Sequence, residues 1–88
     1  MEEQQSEVTT GADWTLVYIA KKLKEAQELE VLLEAHQIDY DVQPDTYRGG
    51  IIFVTERIGA FFYVDPEDVE KAHEILTKNK YKPYRVGA

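Results

Sequence analysis

The chain has 88 residues, 43% of them hydrophobic, with 17 acidic against 10 basic side chains and a formal charge of −7, which bounds it to one small domain with a core near the lower limit for a stable fold. It contains no cysteine, so disulfides, thiolate metal sites and thiol nucleophiles are excluded and a reducing, cytoplasmic setting is expected. The acidic balance disfavours a broad surface for nucleic acid or anionic membrane, both of which bind through positive charge, and no window approaches the roughly 20 apolar residues of a membrane-spanning helix.

Residues 1–12, MEEQQSEVTTGA, are polar and acidic, the composition of a disordered tail rather than of a basic-then-apolar leader. Setting aside Glu2, Glu3 and Glu7 leaves 14 acidic and 10 basic residues, so the expected domain, residues 13–88, carries about −4. Trp14 to Ala20 reads as a strand with two apolar faces, Trp14, Leu16, Tyr18 and Ala20 on one side and Thr15, Val17 and Ile19 on the other. A central position is expected, because an edge strand with two such faces invites aggregation.

Lys21 to Gln37 predicts a helix whose apolar stripe is Leu23, Ala26, Leu29, Leu32, Leu33 and His36. No Ser, Thr, Asp or Asn stands at its start. Instead Lys21, Lys22 and Lys24 crowd the positive end of the dipole, either as contacts for an anion on free N–H groups or as a solvated edge with Lys24 paired to Glu28. Ile38 to Gln43 alternates apolar and polar residues, the pattern of an outer strand with one wet face. Pro44, Asp45, Gly49 and Gly50 mark a loop, in which Arg48-Gly49-Gly50 reads as an anion loop or as a plain hairpin turn. Ile51 to Thr55 is expected to form an extra short strand or a lid.

The clearest signal is Gly59 to Leu76, GAFFYVDPEDVEKAHEIL. Phe61 to Val64 is an aromatic and β-branched run of strand length. Asp65 is placed to accept N–H groups of the next turn, Pro66 suits a first helical position, and Glu67 and Asp68 match the dipole. Val69, Ala72, Ile75 and Leu76 then share one helix face, with Glu74 and Lys78 as an attractive pair outside. Tyr81 to Val86 reads as a last strand, confined to an edge by Pro83.

The order is β-α-β-β-α-β: an α+β, ferredoxin-like split βαβ domain with an antiparallel sheet and both helices on one face, plus the short segment 51–55. The helix-free face then carries Thr15, Val17 and Ile19 with either Phe61 and Tyr63 or Phe62 and Val64, according to the pleat. That is a large apolar surface to leave in water.

The strand at Val17-Tyr18, the helix from Ala26 to Leu33 running into Gln37-Ile38, and the junction from Val64 through Pro66-Glu67-Asp68-Val69-Glu70-Lys71-Ala72 resemble the small GlnB-like domains described as prokaryotic signal-transducing proteins, a family without an assigned function. The resemblance covers about Trp14 to Lys78. It departs at Gln37, where the family tends to have Gly, and across Asp45 to Ile58. It implies a ferredoxin-like regulatory domain, and no nucleotide-loop residue carries over.

Chemistry-bearing residues are sparse. His36 and His73 are the only histidines, Ser6 is the only serine, and no HxH or HxxxH spacing occurs, so no metal, cofactor or catalytic constellation is expected. Arg57 to Val64 partly echoes the RNA-binding octamer of RRM domains, but Ile58, Gly59 and Val64 stand where that motif needs Gly and aromatics, so no nucleic acid is expected. Two readings remain. The first is a non-enzymatic regulatory module that forms a homodimer or docks on a protein partner through Thr15, Val17, Ile19, Phe61 and Tyr63. The second is a sensor for a small anionic ligand or nucleotide, with Lys21, Lys22 and Arg48 as contacts and residues 45–58 as a lid.

Overall fold

A computed structural model of the chain describes residues 14–84. The apolar run Phe61 to Val64 occupies the middle of the sheet, as a segment buried from both sides must. The elements are β1 (Thr15–Ala20), α1 (Leu23–Ala35), β2 (Tyr40–Gly49), β3 (Thr55–Val64), a 3₁₀ turn (Pro66–Asp68) and α2 (Val69–Lys78). The three strands pair in the order β1-β3-β2, antiparallel throughout. This α+β arrangement, β-α-β-β-α, is compatible with a ferredoxin-like domain. Residues 81–84 form no strand, but the Tyr84 N–H donates to the Val17 carbonyl at 2.7 Å, along the open edge of β1 where a fourth strand would lie. Residues 85 and 86 of that expected strand, and the expected tail at 1–12, lie outside the described residues.

The expected loop and short strand at 44–58 are replaced by one long hairpin. β2 runs on through Pro44 and Asp45 to Gly49, and β3 begins at Thr55, so residues 51–54 are the turn and not a strand. Pro44 is tolerated because β2 is an edge strand. Gly50 has φ 107°, a left-handed conformation, and a Cβ there would collide with the Phe53 carbonyl.

One irregularity sets the faces of the sheet. Leu16 opposes Tyr63 and Tyr18 opposes Phe62, so Val17 is an extra residue in β1, a β-bulge. Before it, Thr15 stands opposite Val64; after it, Ile19 stands opposite Phe61. Val17 is 0% exposed and packs with Phe62 and Val64 against Ala26, Leu29 and Leu33 of α1 and Ala72, Ile75 and Leu76 of α2. Both helices therefore lie on one face, over a core in which Phe62→Ala would cost about 3–5 kcal/mol. Thr15 and Val17 consequently belong to the helix side and not to the helix-free face. Strict alternation placed them wrongly because the bulge shifts its phase. Leu23 is also off the expected stripe, being 75% exposed, and His36 is exposed.

Local hydrogen bonds explain the helix boundaries. The Asp65 carboxylate accepts the Glu67 N–H at 2.9 Å, the expected cap. Lys22 is the N-cap of α1 and contributes no side-chain bond; Glu25 reaches back from the first turn to accept the Lys21 N–H at 3.0 Å. Both helices end in Schellman motifs. In α1 the Ile38 N–H donates to Leu33 and the Gln37 N–H to Glu34; in α2 the Tyr81 N–H donates to Leu76 and the Lys80 N–H to Thr77. The left-handed residues are Gln37 (φ 58°) and Lys80 (φ 68°), positions at which glycine is the usual occupant.

Three tyrosines tie α1 down through glutamates on its flank. Tyr18 donates to Glu25 at 2.7 Å, Tyr40 to Glu34 at 2.6 Å and Tyr81 to Glu28 at 2.9 Å, and Tyr18 meets Tyr81 edge-on at 5.5 Å. Glu28 is thus engaged by Tyr81. Burial first, and then the glutamate partner, push the Tyr18 and Tyr40 phenols well above their ordinary value.

Gln37→Gly should stabilise the domain by about 0.5–1 kcal/mol by removing the left-handed penalty, read as a higher urea midpoint at unchanged slope. The raised phenols give a signed pH dependence. In the unfolded chain they ionise near pH ~10, whereas the folded chain keeps their protons. The stability they contribute is complete below that pH and is lost above it. The urea midpoint should fall between about pH 9 and about pH 11, and the Tyr18→Phe/Tyr40→Phe variant should lose less over the same interval.

Candidate cationic cleft on the helix-free face

The bulge leaves Leu16, before it, and Ile19, after it, on the side away from the helices together with Phe61 and Tyr63 of β3. Ile19, Phe61 and Tyr63 thus lie where the sequence places them. Phe61 is nonetheless only 8% exposed, because this face is not bare. Lys82, Pro83 and Tyr84 pass along the edge of β1, and Thr46, Tyr47 and Arg48 rise from β2; between them lies an open cleft of about 640 Å³ floored by Leu16, Ile19 and Phe61.

Gly59 lets the cleft form. A side chain there would begin 3.0 Å from Ile19 Cγ2 and 3.1 Å from both the Ala20 carbonyl and Tyr47 Cε1. Its absence allows the Tyr47 ring to lie beside Ile19 across the sheet. The Lys21 ammonium stands 5.4 Å from the centroid of that ring, a cation–π contact.

The face is divided electrostatically. Lys21, Arg48 and Lys82 all line the cleft, and among the described residues no carboxylate does. Along β2, Asp41, Gln43 and Asp45 oppose Tyr63, Phe61 and Gly59 on this same face, so Asp45 stands across from the glycine that opens the cleft without lining it; the Tyr63 phenol is raised by burial and then by the Asp45 and Asp41 carboxylates. Of the three expected anion contacts, Lys21 and Arg48 come together here. Lys22 does not: it is the exposed N-cap of α1, and the N–H beside it is already bonded to Glu25. Lys82 and Tyr84 were not foreseen, since only the chain's return past β1 brings them to the cleft.

A second feature stands apart from the cleft. Beyond the end of β1 at Ala20, β2 and β3 continue together for five more pairs, from Asp45–Gly59 to Gly49–Thr55. At the turn Ile51, Ile52, Phe53 and Val54 are 98%, 83%, 81% and 56% exposed. Four consecutive large apolar side chains in water are far more than the scattered exposure of an ordinary surface.

Among the described residues no three His, Asp or Glu side chains gather as a metal-ligand group, and no helix is long and apolar enough to cross a membrane. No family model, no curated protein and no solved structure matches the chain.

Gly59→Ala should cost about 1–3 kcal/mol through overpacking against Ile19 and the Ala20 backbone, and should shift the Tyr47 ring resonances. An unchanged urea midpoint with unmoved Tyr47 signals would remove the role given to this glycine.

Proposed function

We propose that the protein is a non-enzymatic regulatory interaction module that self-associates, with the β2–β3 hairpin as its docking element. The observation that carries this reading is the run Ile51 to Val54 exposed at the tip of a hairpin that extends past β1. Burying such side chains is worth roughly 1.5–3 kcal/mol each, so two tips in contact supply a large driving force from few residues.

The occupant is a second copy of the chain. Glu56 and Arg57 on β3 flank the tip. Both charge signs therefore sit on one short segment, and a two-fold related copy presents each with an opposite charge. The regulatory character is the one that the GlnB-like resemblance implies, in a cytoplasmic setting. Relative to the expected interface, docking moves from the sheet face to the hairpin tip, because Thr15 and Val17 face the helices and Phe61 is largely covered.

Sedimentation at tens of micromolar tests this. The wild type should run as a dimer, and Ile52→Asp/Phe53→Asp, which changes only exposed turn residues, should run as a monomer with the same circular dichroism and unfolding midpoint. A monomeric wild type, or a variant that stays dimeric, refutes self-association through the tip.

A further inference from the structure

We propose that the cleft between Tyr47, Arg48 and the Lys82–Tyr84 segment is a binding site for a small organic dianion carried on a flat apolar ring, the chemistry of an aryl phosphate. This inference is independent of self-association through the hairpin tip.

The charge distribution gives the anion. The chain has 17 acidic and 10 basic residues, yet among the described residues three basic side chains and no acidic one line this cleft. A solvated face of such a chain would carry mostly acids. The neighbouring carboxylates have other engagements or positions: Glu25 accepts the Tyr18 phenol and the Lys21 N–H, Asp45 stands opposite Gly59 and accepts the Thr46 N–H, and Glu56 stands opposite Arg48 in the ladder without lining the cleft. Lys21 lies over the Tyr47 ring, a contact that leaves its full charge in place. Arg48 offers a planar fork suited to two oxygens of a phosphate, and Lys82 offers a point charge.

The floor gives the ring. Leu16, Ile19 and Phe61 are apolar and Tyr47 and Tyr84 are aromatic; Tyr84 is 45% exposed, so a flat ligand can cover it. At about 640 Å³ the cleft falls within the ~300–1,000 Å³ of organic-ligand sites and is far larger than inorganic phosphate requires. Gly59 keeps the floor open at the point where any side chain would meet Ile19 and Tyr47.

The experiment is an amide chemical-shift titration at low salt with phenyl phosphate, and with inorganic phosphate and phenol as its separate halves. Phenyl phosphate should saturate with shifts centred on Ile19, Tyr47, Phe61 and Tyr84 and bind at least about tenfold more tightly than either half. Arg48→Ala/Lys82→Ala, a change at two exposed side chains, should weaken it about tenfold or more while leaving the rest of the spectrum in place. The proposal is overturned if phenyl phosphate fails to saturate, if inorganic phosphate binds as well, if the double variant binds unchanged, or if the shifts centre on α2. Repeating the titration on Ile52→Asp/Phe53→Asp separates the two ideas: unchanged binding is expected whether or not the wild type is a dimer, and binding lost there overturns the independence of the cleft.

Discussion

Because β1 holds one residue more than β3 between Leu16 and Tyr18, side-chain alternation restarts at that point and the strand divides its apolar residues unevenly. Val17, Tyr18 and Ala20 all serve the helix side, giving a domain of this size a dense centre around Phe62 and Val64. Leu16 and Ile19 are left on the opposite side with Phe61. A bulge-free β1 in the same starting register would turn Ile19 toward the helices and Tyr18 away from them, removing Ile19 from the cleft floor and breaking the bond from Tyr18 to Glu25. The core and the cleft therefore depend on the same extra residue, and bulges commonly serve to re-aim side chains in this way.

The remaining architecture separates stability from recognition. Helix-side packing, three tyrosine–glutamate bonds and two Schellman motifs hold the centre. The outer half of the hairpin contributes little to it: its residues pair only with each other, and its tip faces water. A segment that adds apolar surface without adding core is poorly explained by folding alone. The cleft shows the same economy in electrostatic form, concentrating cations on a chain that is otherwise acidic.

Much of the fold was legible from residues 14–40 and 59–78, where period and capping signals agree. The Asp65-Pro66 helix start, the central β3 and the outer β2 follow from composition, and both helices lie on one face as that order requires. The hairpin was not legible, because Pro44, Asp45 and Gly49 carry loop chemistry that an edge strand tolerates, and pairing across the turn is a tertiary fact. Thr15 and Val17 were misplaced because a period of two has no means of registering an inserted residue. Lys21 and Arg48 could be nominated by charge alone; that they share a cleft with Lys82, while Lys22 does not, depends on the path of the chain after α2. Gln37 carried a faint signal, a non-glycine at a helix end, which its left-handed backbone explains.

The register of β1 against β3 is the point on which core and cleft both turn, and nuclear Overhauser contacts across the two strands read it directly. Backbone contacts should pair Leu16 with Tyr63, Tyr18 with Phe62 and Ile19 with Phe61, with Val17 left out of the ladder. Contacts pairing Val17 with Phe62 and Tyr18 with Phe61, an unbroken register, would contradict this pairing.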